Sequence, residues 1–141
     1  MGDGNRRRIT IPREPHAELA AVPLVDLLGE RLGFSHDTLA EIKLAVVEAC
    51  LNALEYGQGA VEVEVVAFPE EQPARLEITV TDHGGGFDAR QVPQPNLQAK
   101  LHAARKRGWG IELMRHLMDE VEVNSAPGLT RVRLMRKRKE A

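Results

Sequence analysis

The feature that most constrains the fold is an alternating segment that ends in a carboxylate and runs directly into glycines. Leu76, Ile78 and Val80 alternate with polar residues, which predicts a half-buried strand. The strand delivers Asp82 to its end, and residues 83–86 then read His-Gly-Gly-Gly. A carboxylate accepts hydrogen bonds and glycine lets a ligand approach the backbone, so this segment suits a recognition site. An ordinary turn remains the alternative until other segments are considered.

Composition is typical of one globular domain. The chain has 141 residues, 43% of them hydrophobic, and no linker divides it, so we expect a single domain over residues 1–141. The apolar runs are too short to span a bilayer and the polar start is no secretory signal. The one cysteine, Cys50, excludes a disulfide framework. These features predict a cytoplasmic protein without a membrane partner.

Charge is distributed unevenly along the chain. Nine of the nineteen basic residues lie in segments 6–8 and 131–139, and only two of the 21 acidic residues, Asp3 and Glu140, lie outside residues 9–130. The body therefore holds ten basic and nineteen acidic residues, a net charge of −9. An acidic body repels phosphate backbones, so nucleic acid is not expected as a partner. The basic tail, about residues 136–141, is expected to be solvated, with contact to an acidic surface as the alternative.

The strongest periodic segment predicts a helix from His36 to Tyr56, with Ser35 as its N-cap. Three carboxylates and one amide fall within one row along this helix: Glu41, Glu48, Asn52 and Glu55. Such a row can simply face water. The row contains no Lys or Arg, however, and like charges at this spacing repel, which favours a ligand between them. Carboxylate and amide oxygens suit Mg²⁺.

The remaining patterns complete the fold prediction. A first strand ends at Pro12, and a helix over about residues 16–32 is expected to kink or restart at Pro23. The helix from His36 to Tyr56 follows. After it the patterns predict strands 61–68 and 75–81, a loop 88–96, a possible short helix 97–106, a helix that opens at residues 108–110 and ends at Met118, and strands 120–125 and 129–135. These elements predict an α+β two-layer sandwich, with a mixed, mainly antiparallel sheet and helices on one face.

A second glycine-rich segment suits an anion. Gly108 and Gly110 flank Trp109 just before a helix, and Arg105 belongs to a basic cluster immediately upstream. Helix-start N–H groups and nearby cations attract phosphate oxygens, which predicts phosphate contacts here. A flexible turn before the helix is the alternative. Neither a Walker A loop nor a Rossmann fingerprint occurs in the sequence.

Three motifs in register resemble those of the GHKL (Bergerat-fold) ATPases. Residues Glu48–Glu55 resemble the N-box, Asp82–Phe87 the DxGxGF box and Gly108–Ile111 the GxGL box. The small size and the segment Glu112–Val121 are similar to the anti-sigma-factor serine kinases of bacteria. The sequence departs from the family pattern at Tyr56, where many members have histidine.

The resemblance implies a role for each matching residue. Asn52 would bind Mg²⁺ through its amide oxygen, and Glu48 would be the general base that takes the proton of the acceptor hydroxyl. Asp82 would bind the adenine amino group. Further nucleotide contacts are implied for Gly84, Gly86, Gly108, Gly110 and Thr130. The implied cofactors are ATP or ADP and Mg²⁺.

The resemblance also implies an activity and partners. The expected function is an ATP-dependent serine/threonine kinase that phosphorylates a STAS-domain anti-anti-sigma protein, sequesters a sigma factor and forms a homodimer. Two alternatives stay open. One is a non-catalytic nucleotide-binding anti-sigma or switch module. The other is the catalytic domain of a histidine kinase acting in trans, although no histidine of this chain lies in a recognisable phospho-acceptor hairpin.

Overall fold

The computed structural model describes residues 2–56, 59–83 and 110–139. Short 3₁₀ turns at Gly2–Asn5 and Ala17–Leu19 accompany the main elements. In chain order these elements are β1 (Arg6–Ile11), α1 (Val22–Arg31), α2 (His36–Tyr56), β2 (Val61–Phe68), β3 (Arg75–Asp82), α3 (110–117), β4 (Glu120–Ala126) and β5 (Leu129–Lys137). None of the helices in these ranges combines the length and apolar character needed to cross a bilayer.

The five described strands form one sheet in the order β1-β2-β3-β5-β4. Each neighbouring pair is antiparallel. The register aligns one row across four strands, with Ile11 opposite Val61, Val61 opposite Asp82 and Asp82 opposite Thr130. Directly opposed residues point to the same face of a sheet, so Asp82 and Thr130 share the face of the buried Val61.

The helices pack on that same face and close the hydrophobic core. Alternate residues of β2 and β3 point toward the helices, because side chains in a strand alternate between the two faces. Ile42 and Val46 of α2 meet Ile78 of β3 and Leu134 of β5 in one buried cluster. Met114 joins α3 to this cluster. The predicted α+β sandwich, with a mainly antiparallel sheet and helices on one face, is confirmed.

The other face of the sheet is polar and carries cross-strand ion pairs. Arg8 lies 3.0 Å from Glu64, and Arg133 lies 3.1 Å from Glu77. Burial of Glu77 would raise its pKa, but hydrogen bonds from Arg75 and Arg133 outweigh burial and hold the pKa below its ordinary value. One face of the sheet is therefore apolar and packs against the helices, and the other face is polar.

The ends of the helices follow local sequence signals, with one correction. Helix α2 has the predicted bounds, and the Thr38 amide donates to Ser35 Oγ at 3.1 Å, which confirms the N-cap. Gly33 follows α1 with a positive φ of 80°, a conformation that glycine adopts without strain. The helix predicted over about residues 16–32 begins only at Val22, after the 3₁₀ turn Ala17–Leu19, so Pro23 restarts the helix in its first turn and does not kink it. Proline is tolerated there, since first-turn N–H groups have no partner within the helix.

Two further boundaries differ from the sequence prediction. Strand β1 begins at Arg6 and β5 continues to Lys137, which pairs with Arg75. Two residues of the predicted basic tail therefore belong to the sheet. The predicted loop 88–96 and short helix 97–106 lie outside the described residues.

Candidate nucleotide site

Helix α2 presents Glu48 and Asn52 one turn apart, both half-buried. The residues between them that point to the core, Ala49 and Cys50, are fully buried. Burial raises the pKa of the Cys50 thiol to about 12, so this cysteine is a core side chain without a thiolate to offer. The polar pair therefore lies along the edge of the face that α2 packs into the core.

The row predicted along α2 divides into two parts in the structure. Glu41 makes an ion pair with Arg136 of β5, with 3.0 Å between Oε1 and Nη2. The counter-charge that is missing from the row in the sequence thus comes from a residue 95 positions away. Glu41 has a structural partner and Glu55 is exposed, so Glu48 and Asn52 are the half-buried part of the row.

Gly110, the first described residue of α3, packs directly against this pair. A Cβ placed on Gly110 would lie 2.9 Å from Glu48 Oε2, and 3.6 and 3.7 Å from Asn52 Nδ2 and Oδ1. Glycine lets the α3 backbone approach Glu48 this closely, whereas a side chain at residue 110 would require Glu48 to shift. The structure therefore brings together three residues that the sequence placed in two separate motifs: Glu48, Asn52 and Gly110.

Asp82 forms the second part of the site, at the end of β3. It is 4% exposed, although it is one of the few polar residues on the core face. The register sets it beside Thr130, which is half-buried and lies 3.3 Å from Ser125 between hydroxyl oxygens. A buried carboxylate at the end of a strand is costly to maintain unless its oxygens are bound, so it marks a place where donors converge.

Arg13 connects the two parts and has no counterpart among the sequence-derived candidates. It follows β1 and donates from Nη1 to the Leu54 carbonyl at 2.6 Å and from Nε to the Gly59 carbonyl at 2.8 Å. Its Nη2 donates to the Ala53 carbonyl at 3.4 Å and lies 3.7 Å from Asp82 Oδ1. One nitrogen therefore binds both the backbone adjoining Asn52 and the carboxylate of Asp82. No local pattern marks Arg13, because its partners lie 40 or more positions along the chain.

The other predicted contact residues, Gly84, Gly86, Arg105 and Gly108, lie outside the described residues. Among the described side chains, no group of three or more His, Cys, Asp or Glu residues is arranged to hold a metal ion. Within the described part, the site consists of Glu48, Asn52 and Gly110 at one end, and Asp82, Thr130 and Arg13 at the other.

Comparison with known proteins places this arrangement in a family. The histidine kinase-like ATPase domain matches residues 13–136. The serine-protein kinase RsbW of Bacillus velezensis is 34% identical over 131 residues, covering 85% of this chain and 78% of the relative. RsbW of Bacillus subtilis is 31% identical over 131 residues, with the same coverage.

A solved structure shares the fold. The RsbU and RsbW domains of a Mycobacterium tuberculosis protein align with this chain at a TM-score of 0.68 and 18% identity, over 96% of this chain and 33% of that one. The resemblance inferred from the three motifs is confirmed by these matches. The chain therefore belongs to the histidine kinase-like ATPase family, in the group of the serine-protein kinases RsbW.

Proposed function

We propose that this protein is an ATP-dependent serine/threonine kinase that phosphorylates a STAS-domain anti-anti-sigma protein and sequesters a sigma factor. The observation that carries the proposal is the packing of Gly110 against Glu48 and Asn52, which assembles a carboxylate, an amide and a glycine backbone at one point. The names of the relatives supply the reaction class, since they are serine-protein kinases.

The described residues suit a nucleotide that lies along α2. Asp82 would accept a hydrogen bond from the adenine amino group, with Thr130 beside it. The backbone N–H group of Gly110 would donate to the phosphates. Gly84, Gly86, Arg105 and Gly108 would complete the contacts, as the family resemblance implies.

The donor set at Glu48 and Asn52 also fits Mg²⁺. Both side chains offer oxygen atoms, both border Gly110, and Mg²⁺ prefers oxygen ligands while keeping several waters. Asn52 would hold the ion through Oδ1. The ion would supply charge neutralisation at the phosphates.

Phosphoryl transfer depends more on positioning than on covalent chemistry from the protein. Glu48 would accept the proton of the acceptor serine as its oxygen forms a bond to the γ-phosphorus. The bond from that phosphorus to the β,γ-bridging oxygen breaks, and ADP keeps the electron pair. Asp82 and the Gly110 amide would hold the two ends of the nucleotide while this happens.

The family resemblance also supports a proposal about oligomeric state and partners. The chain would form a homodimer and bind a sigma factor, and the location would be cytoplasmic because sigma factors act there. Sedimentation with and without a candidate sigma factor tests this part. A chain that remains monomeric and binds no sigma factor contradicts it.

The kinase proposal is tested by incubating the protein with γ-labelled ATP, Mg²⁺ and a panel of STAS-domain proteins. We expect label on a serine or threonine of one panel member. Glu48→Gln should lower the transfer rate by about 100-fold to 10,000-fold, because a general base is lost, while ADP still binds. Asn52→Ala should weaken Mg²⁺-dependent ATP binding.

Glu41→Gln is the matched control, since it removes a carboxylate from the same helix and, among the described residues, breaks the ion pair with Arg136. It should transfer at the wild-type rate. ATP binding without transfer to any STAS protein would support the non-catalytic module instead. Label on a histidine of a partner would support a histidine kinase acting in trans.

A further inference from the structure

Arg13 makes a set of contacts that is unusual for a residue outside any helix or strand. Its guanidinium binds the carbonyls of Ala53, Leu54 and Gly59 and also approaches the buried Asp82 carboxylate. The side chain is 29% exposed, whereas that of Asp82 is 5% exposed. The cation is therefore held from the inner side by four oxygen atoms from three separate segments of the chain.

The electrostatics of this contact are favourable on both sides. The last carbonyls of a helix carry the negative end of its dipole and lack partners within the helix, so a cation at that end satisfies them. The Asp82 carboxylate adds a full negative charge nearby. A planar guanidinium can bind several such oxygens in a fixed geometry, which a lysine ammonium cannot reproduce. Arg13 therefore links the Asp82 carboxylate to the end of α2.

We propose that Arg13 is a positioning residue for recognition of the nucleotide base. This inference rests on the proposed function, in which Asp82 binds the 6-amino group of adenine. A carboxylate held in place accepts a hydrogen bond from that amino group and repels the 6-oxo group of guanine, which is itself an acceptor. A carboxylate that can turn or withdraw loses much of this discrimination.

The same contact links the two ends of the site. Arg13 Nη2 binds the Ala53 carbonyl, and Ala53 adjoins Asn52 on α2. One guanidinium thus joins the backbone next to Asn52 to the carboxylate of Asp82. Loss of Arg13 should raise the KM for ATP and leave kcat at saturation largely unchanged, since Glu48 and Gly110 keep their contact.

The test compares Arg13→Met, which keeps the apolar stem, with Arg13→Lys, which keeps the charge. Affinities for ADP and GDP are measured by calorimetry, and thermal unfolding is recorded in parallel. Arg13→Met should weaken ADP binding by about tenfold, the loss expected when a charge-assisted contact is removed. It should also lower the ratio of the GDP dissociation constant to the ADP dissociation constant. Arg13→Lys should fall between wild type and Arg13→Met.

Arg138→Met is the matched control, because Arg138 donates to the Leu32 carbonyl just after α1 and follows Lys137, which pairs at the opposite end of β3 from Asp82. It should shift the unfolding temperature while leaving the ADP preference intact. Asp82→Asn should abolish the preference, and adding Arg13→Met to it should change the ratio little further, since the two act through one contact.

Two results would overturn the inference, and they are distinguishable. If Arg13→Met lowers the unfolding temperature but keeps the wild-type ratio of ADP to GDP affinity, Arg13 only stabilises the end of α2. The proposed function then stands. If the wild-type protein does not prefer ADP to GDP, the role of Asp82 in the proposed function fails, and the role of Arg13 fails with it.

Discussion

A single methyl group at residue 110 is a direct probe of the proposed reacting site. The Cβ of Gly110→Ala would lie 2.9 Å from Glu48 Oε2. Ordinary van der Waals contact begins at 3.4 Å, so the carboxylate oxygen must retreat by about 0.5 Å. The contacts to Asn52, at 3.6 and 3.7 Å, need no adjustment. The substitution therefore displaces Glu48 selectively.

This displacement should lower the rate of phosphoryl transfer and leave the free energy of unfolding nearly unchanged. The obstructing atom is the end of a flexible side chain, and alanine is the better helix former by about 1 kcal/mol. The free energy of unfolding should therefore change by less than about 1 kcal/mol. A misplacement of about 1 Å costs about 100-fold in rate, so half of that should cost about tenfold.

The assay is single-turnover transfer of γ-phosphate to the acceptor protein at saturating ATP, with urea unfolding and ADP affinity measured on the same samples. Gly29→Ala is the control, because its Cβ would clash with Leu39 Cδ2 inside the core. That variant should lose about 1–3 kcal/mol of stability and keep its transfer rate per folded molecule. An unchanged transfer rate in Gly110→Ala would refute the assignment of Glu48 to the reacting site.

Three further predictions concern stability and reactivity. Ser35→Ala should cost about 1 kcal/mol in urea unfolding, because the N-cap bond of α2 is lost, and no change would show that the cap is redundant. Glu77→Gln should cost about 1 kcal/mol near pH 7, since Arg75 and Arg133 lose their anion. The pKa of Glu77 lies below its ordinary 4.5, so that contribution is complete above pH 4.5 and is lost as the pH falls through the lowered pKa. The stability gap between wild type and Glu77→Gln should then close, and a gap that persists in acid would contradict this account. Cys50, with a pKa of about 12, should be only about 1 part in 10,000 thiolate at pH 8. Iodoacetamide should therefore modify it only after unfolding, and rapid alkylation of the native protein would contradict its burial.

The sequence predicted the elements whose signals are local. Helix α2 runs from His36 to Tyr56 as its periodicity indicates, because the spacing of its apolar residues matches the helical repeat along its whole length. Its cap at Ser35 was predictable for the same reason, since the bonded amide lies three residues away. The β2–β3 hairpin also depends on neighbouring residues alone.

Contacts between residues far apart in the sequence could not be predicted from local patterns. Arg13 lies in a short segment that has no periodicity, and nothing near it in sequence indicates that it binds the end of α2. The pair of Arg136 with Glu41 joins β5 to α2, so the charge balance of the α2 row became visible only when the sheet order was known. Pro23 could equally kink a helix or begin one, and the packing of α1 decided between them.

The alignment of Ile11, Val61, Asp82 and Thr130 in one row has a consequence for insertions and deletions. Adding residues to the turn between β2 and β3 leaves this row intact, because the turn lies at the opposite end of both strands. Removing a single residue inside β3 would rotate Asp82 onto the charged face, since neighbouring positions in a strand point in opposite directions. Changes of length are therefore tolerable at that turn, whereas β3 itself can vary in composition but not in length.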